Sequence, residues 1–222
     1  MTPAAIATLL RPFMDERRTS FITDADVESY LDLAYQKFRQ GGCTIDPSPY
    51  VVRENISPTS AVYDYAAPPA GGTVRLGSTA VAGNVLDQIV DIFEIDTDNL
   101  PVRRFQRVSD PSERTTTVNT YSLIGTALYF NTNVSGTTLS VHFVPVPTIT
   151  WTGGSPTAFL DNLESFHDVI PLMAYSYYAI RDFAANPFLQ QKLDAELSGL
   201  RGYLYRRAAH GAQYIGSPVH PY

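Results

Sequence analysis

Two apolar-periodic runs meeting at Asn186-Pro187 constrain this chain more than any other feature. The first, over residues 163–184, sets Phe166, Ile170, Met173, Tyr177 and Ile180 on one helical stripe. The second sets Leu189, Leu193, Leu197, Leu200 and Leu204 on another. Asn186-Pro187 starts the second helix, because the Asn side chain accepts from free first-turn amides and Pro needs no amide partner there. Pro171 is expected to bend the first helix, since proline removes a donor and crowds the preceding turn. A partner helix is read upstream over residues 23–42. Thr23 caps it, Asp24 and Asp26 suit the positive end of its dipole, and Gly41-Gly42 is expected to end it. Its Val27, Tyr30, Leu31, Ala34 and Phe38 recur at three- and four-residue steps. A shorter helix over residues 3–10 is limited by Pro12.

Between these helices the pattern turns to strands. Residues 43–83 are rich in Pro, Gly, Ser and Thr and read as a long irregular excursion, strand-like only at 50–53 and 73–76. Residues 88–95 and 101–108 then form a hairpin around Asp96-Thr97-Asp98-Asn99. Three more strands follow at 121–124, 127–131 and 137–144, the last alternating Leu139, Val141 and Phe143 with Ser140, His142 and Val144. Pro145, Pro147 and Gly153-Gly154 close the region. The fold class expected is α+β: a helical bundle body with an inserted antiparallel β module and an extended C-terminal arm. Residues 1–42 and 156–210 make the helical body, 43–155 the irregular segment and β module, and 211–222 an arm that leaves the helix at Gly211 and docks on a partner.

The side-chain inventory excludes more than it proposes. Sixteen Lys and Arg against 22 Asp and Glu leave a net charge of -6, which disfavours broad phosphate binding. The single cysteine, Cys43, forms no internal disulfide, and His142, His167, His210 and His220 lack metal-ligand spacing. His167-Asp168 is a fragment of a hydrolytic triad without a nucleophile elbow. Asp96, Asp98 and Asn99 have the opening spacing of a calcium loop without its Gly and distal Glu, so a turn explains them with fewer assumptions. No metal, cofactor or catalytic residue is expected. No apolar run approaches the roughly 20 residues that span a bilayer, and the start lacks the order of a signal peptide, so neither membrane nor secretion is expected. Fourteen Tyr and 11 Phe offer contact area instead. Arg201, Arg206 and Arg207 near the end of the last helix suit the negative end of its dipole; the alternative is that they, with Arg103, Arg104 and Arg107 on the hairpin, make forked contacts with acidic partner surfaces. The candidate partner interface is Arg206, Arg207, Tyr214, Ile215, Pro218, Val219 and Tyr222.

The order of these elements resembles the head-to-tail adaptor (connector) proteins of tailed bacteriophages. An early Asp-x-x-x-x-x-Tyr-Leu-x-x-Ala-Tyr helix is matched at residues 24–35, and a strand, polar turn and Leu-Pro-x-Arg-Arg arm at 92–104. A Tyr-Ser-x-x-Gly-x-x-Leu-Tyr-Phe stretch ending in prolines is matched at 121–147, and a Phe-His-Asp-x-Ile-x-x-x-Ala helix with a long terminal helix at 166–174 and 189–207. The segment 43–83 is longer than is usual in that family. The resemblance implies a non-enzymatic ring, usually dodecameric, in the virion neck between capsid and tail and assembled in the host cytoplasm. It would bind the portal protein and a tail or nozzle protein, with DNA passing its channel without specific binding. A rival reading is a carbohydrate- or receptor-binding β module on a helical base, with Trp151 and tyrosines stacking on sugars. A third is a hydrolase built around His167.

Overall fold

The computed structural model describes residues 2–14, 22–64, 85–109, 118–146, 149–151, 161–182 and 186–215, without the side chains of 85–87, 146, 181–182 and 210–215. It divides into two units, Met1–Tyr50 with Ile149–Tyr222, and Val51–Thr148.

Among the described residues the first unit carries four α-helices. In α1, Pro3–Phe13, the Thr2 hydroxyl accepts from the Ala5 amide (3.3 Å) and Pro3 takes a first-turn position. Its buried side is Pro3, Ile6, Ala7 and Leu10. In α2, Asp24–Ile45, Thr23 and Asp26 cap each other's amides, at 3.2 Å into the Thr23 hydroxyl and 2.9 Å into the Asp26 carboxylate. Val27, Leu31, Ala34, Tyr35 and Phe38 line the buried face. The helix runs through Gly41-Gly42 rather than stopping there. Gly42 serves close packing: a Cβ at that position would lie 2.3 Å from the Tyr50 hydroxyl. Asp46 ends the helix, its amide reaching the Gly42 carbonyl at 2.9 Å, and a 3-10 turn follows at Ser48–Tyr50.

A second 3-10 turn, Glu164–Phe166, leads into α3, Val169–Asp182. Pro171 is the third residue of α3, inside the first turn, where its missing amide has no helical partner to lose. It starts this helix instead of bending it. The expected single stripe also fails, because α3 packs on α1, α2 and α4. Val169, Ile170, Leu172, Ala174, Tyr175, Tyr178 and Ala179 are all buried, while Ile180 is 74% exposed. The last helix, α4, spans Pro187–Ile215. The Asn186 side chain accepts from the amides of Phe188 (3.1 Å) and Leu189 (3.4 Å), and Leu193, Leu200 and Leu204 are buried as the periodicity requires. Five residues expected in the arm, 211–215, continue this helix instead.

The second unit is a seven-stranded sheet. Its strands are β1 Val52–Ile56, β2 Val62–Asp64, β3 Val85–Ile95, β4 Pro101–Arg107, β5 Thr120–Ile124, β6 Ala127–Phe130 and β7 Thr138–Val146, in the order β1-β7-β3-β4-β5-β6-β2. Chain economy forces the sheet to curl. A flat sheet would set its edges about 29 Å apart at about 4.8 Å per strand step. The five residues linking edge strands β1 and β2 span about 22 Å at most. Irregularities in β3 assist, with register shifts at Leu86/Gln88, Ile89/Asp91 and Glu94/Ile95. The shift around Val90 lets Ile89 and Ile92 face the same core despite their odd spacing. That core draws on every strand: Ile56, Tyr63, Ile89, Ile92, Phe105, Tyr121, Leu128, Phe130, Leu139, Val141 and Phe143.

The expected helical bundle with an antiparallel insert is therefore corrected. The fold is α+β, but among the described residues a curled mixed sheet forms one unit and four helices form another. Two physical causes explain the difference. The segment that reads as irregular supplies both edge strands, and β4 meets β5 in parallel, with the Gln106 amide on the Asn119 carbonyl and the Val108 amide on the Tyr121 carbonyl, both 2.9 Å. The strand-like stretch expected at 73–76 lies outside the described residues. Strand β7 departs from simple alternation as well: Ser140 and Val144 are buried along with Leu139, Val141 and Phe143.

Candidate functional site

Polar chemistry in the helical unit converges on Asp161. Its Oδ1 accepts from the Leu163 amide at 3.0 Å and lies 2.7 Å from His167 Nε2, while its Oδ2 accepts from the Tyr35 hydroxyl at 3.1 Å. Both the Asp161 and His167 side chains are 0% exposed. The His167 ring packs edge-on to Phe38, and Arg39 lies over the rings of Tyr35 (6.0 Å) and Tyr50 (5.5 Å). Burial first, and the Asp161 carboxylate second, push the Tyr35 and Tyr50 phenols far above their ordinary range, so both remain neutral. This arrangement gives α2, the 161–163 turn and the start of α3 a common polar anchor. With no solvent access, the His–Asp pair is placed to hold structure and not to meet a substrate.

The sequence pairs His167 with the neighbouring Asp168, and the structure pairs it with Asp161 instead. Asp168 is exposed. A local signal for the true partner exists: Asp161 accepts from the amide two residues ahead, the Asx-turn habit of an Asp before a helical turn. Trp151 is also buried, at 1% exposure, with its indole donating to Asp32 Oδ1 at 2.6 Å. It offers no face for stacking on a sugar. Asp96 accepts from the amides of Asp98 (2.9 Å) and Leu100 (2.8 Å), which makes the 96–99 loop a turn with Asn99 at φ +62°. Among the described residues no group of three or more His, Cys, Asp or Glu is placed to hold a metal ion.

The expected partner interface is divided by the structure. Arg206 is exposed on α4, its Nε donating to the Gly202 carbonyl at 3.1 Å. Arg207 faces inward: its Nε lies 3.2 Å from Ser48 Oγ and 3.4 Å from the Asp46 carboxylate, tying α4 to the turn after α2. Tyr214 and Ile215 lie on the last turn of α4. Pro218, Val219 and Tyr222 lie outside the described residues. Large apolar side chains stand exposed elsewhere: Ile180 near the end of α3, despite its place on the expected stripe, Phe188 (71%) at the start of α4, Tyr205 (63%) further along α4, and Leu100 and Val102 on the β3–β4 hairpin.

The sheet unit carries a second polar array, on the side away from its core. Arg53 of β1 stands opposite His142 of β7, which stands opposite Asp91 of β3, and Phe93 of β3 stands opposite Arg104 of β4. Arg104 Nε donates to Asp91 at 2.8 Å and its guanidinium lies 5.8 Å over the Phe93 ring, which in turn meets the His142 ring at 5.4 Å. On the core side, Arg103 pairs with Glu94 and lies over Phe105. Sequence reasoning named the hairpin arginines and read 50–53 as strand-like, but it gave Arg53 no role, because its pairing with β7 is set by residues far along the chain. Comparison of the chain with protein-family models and with curated protein sequences gives no match.

Proposed function

We propose that this protein is a virion structural protein, a head-to-tail adaptor that forms a ring between the portal and the tail and performs no catalysis. The observation that carries the reading is the ordered series of motifs resembling the phage connector family. Its support in three dimensions is that each motif-bearing stretch forms an element of the implied kind. Residues 24–35 lie in α2, 92–104 in the β3–β4 hairpin, 121–146 in β5 to β7, 166–174 in the second 3-10 turn and the start of α3, and 189–207 in α4. A fully buried His–Asp pair and a Trp held on Asp32 leave the hydrolase and sugar-binding readings without their proposed groups.

In this reading the protomers associate head to tail in a closed ring. The end of α4 and the residues after it meet the portal, and exposed apolar groups such as Phe188, Leu100 and Val102 are buried in the assembly. The acidic balance keeps passing DNA from adhering to the channel. Electron microscopy of the purified protein mixed with a portal is the direct test: rings stacked on portals are expected. Removal of residues 211–222 should weaken portal binding while the far-ultraviolet dichroism of the remaining chain stays close to that of the parent. Discrete monomers with no portal binding at micromolar concentration would overturn the proposal.

A further inference from the structure

The outer array on the sheet is asymmetric in charge. Among the described residues, the ion pairs of this unit join Arg103 to Glu94 and Arg104 to Asp91, and Arg53 enters neither. Arg104 remains 56% exposed while it contacts Asp91, so part of its guanidinium still faces solvent. Between these two cations lie the His142 and Phe93 rings, partly buried and in edge contact. Burial, and then the Arg53 charge, hold the His142 imidazole below its ordinary range, with Asp91 opposing them. At neutral pH the strip therefore presents two arginines, one carboxylate and a neutral aromatic floor, on a chain whose total charge is negative.

The geometry points to a docking surface for an acidic, extended segment of a partner protein, laid across β1, β7, β3 and β4 with its carboxylates on Arg53 and Arg104. Charge complementarity selects the occupant, since a basic partner would meet two guanidiniums balanced by the single Asp91 carboxylate. The dimensions select its form. Three strand steps separate Arg53 from Arg104, about 14 Å, which an extended chain covers in about four residues. The floor is a single row of rings rather than a cleft, so it accommodates a strand-like chain better than a compact ligand. This inference does not depend on the adaptor reading, and loss of either leaves the other standing.

The test uses the full chain and a hexaglutamate peptide as probe, with hexalysine, inorganic phosphate and oligothymidylate as comparisons at matched ionic strength. His142 reports the event through its imidazole NMR resonance, assigned by its disappearance in His142→Gln. Saturable binding of hexaglutamate is expected, with the His142 titration moving to higher pH when an anion lies beside it. Arg53→Gln should weaken binding about fivefold or more, as loss of one Arg–carboxylate contact of about 1 kcal/mol predicts. Because Arg53 is exposed and outside the unit's ion pairs, that variant should keep the parent's thermal midpoint. Arg201→Gln, on α4, should leave binding unchanged. The proposal is overturned if hexaglutamate leaves the His142 resonance unmoved, or if Arg53→Gln binds as tightly as the parent. It is equally overturned if phosphate produces the same shift, which indicates a nonspecific anion effect, or if oligothymidylate binds more tightly, which assigns the face to nucleic acid.

Discussion

The helical unit and the sheet unit solve the same problem, a filled interior, with opposite materials. The helical unit buries Asp161, His167, Arg39 and Asp46 among its apolar side chains. Among the described residues the sheet unit buries no charged side chain: its buried polar residues are Thr120, Ser122 and Ser140, and its charged pairs, Arg103–Glu94 and Arg104–Asp91, retain solvent contact. A sheet satisfies its backbone within itself and needs only apolar side chains between its walls. Helices joined by irregular turns bring unsatisfied amides inside, and here Asp161 receives one of them from Leu163. The difference predicts where each unit is fragile.

Asp161→Ala is the largest expected perturbation. It removes the carboxylate that the Tyr35 hydroxyl, the Leu163 amide and His167 Nε2 share in a buried region, a loss of about 3–5 kcal/mol by analogy with broken buried pairs. Urea titration of parent and variant measures it. In the sheet unit, Arg104→Gln removes an ion pair whose arginine is over half exposed, and the expected cost is at most about 1 kcal/mol. Equal losses in the two variants would erase the contrast between the units.

Glycine gives the next largest effect. Gly42→Ala forces the Tyr50 ring away from α2, since the added methyl would meet its hydroxyl at 2.3 Å and two ring carbons at 2.9 Å. The expected destabilisation is about 1–3 kcal/mol, the usual range for an overfilled core. Gly199→Ala in α4 meets nothing within 4 Å and should stabilise by about 0.5–1 kcal/mol through helix propensity. Thermal melts of the two variants should move in opposite directions.

This pair also illustrates how much the sequence reveals. Helices are legible from caps and three-to-four spacing: Thr23, Asn186-Pro187 and the leucines of α4 stand where those rules place them. The two hairpins around Asp96 and Gly125 are legible from their turn residues. Gly42 was misread because a glycine chosen for a distant ring looks identical to one chosen for a helix stop. Pro171 was misread because its effect depends on where the helix begins, and a 3-10 turn moved that start. Strands β1 and β2 were largely hidden because short edge strands have too few residues to display a period, and their pairing with β7 and β6 is set by contacts far along the chain. The Asp161 anchor escaped because its three partners are dispersed between Tyr35 and His167.

Alkaline pH compares the two interiors with one reagent. Burial raises Tyr63 and Tyr121 in the sheet unit to about 12, and raises Tyr35 and Tyr50 in the helical unit further still. A folded value above the unfolded value of about 10 means that the folded chain holds its protons longer. The stability contributed is complete below pH of about 10 and declines as pH rises toward and through the folded values. Denaturant midpoints measured upward from pH 9 should therefore fall above about pH 10, with tyrosinate absorbance from Tyr35 and Tyr50 appearing only as the helical unit unfolds. Early ionisation of Tyr35, read as a difference between the parent and Tyr35→Phe, would show that the Asp161 anchor is open to solvent.

The smallest effect concerns Asp32, where the helical unit's polar chemistry reaches its surface. Burial raises the Asp32 carboxyl above its ordinary range against the opposing hydrogen bond from Trp151, and the Glu28 charge adds to the rise. A raised folded value contributes stability below the unfolded value of 3.8 that is lost as pH climbs through the folded one. Asp32→Asn retains an oxygen for the indole and removes the cost of ionisation. Solvent screening at this partly exposed site limits the gain at neutral pH to at most about 0.5 kcal/mol, and near pH 3, where the parent carboxyl is protonated, the gain should vanish. Trp151 is the chain's sole tryptophan, so its emission reports both melts without labels. A stability loss at neutral pH would mean that the charge on Asp32 strengthens the indole bond by more than burial costs it, and the surface of the helical unit would then obey the same rule as its Asp161 anchor.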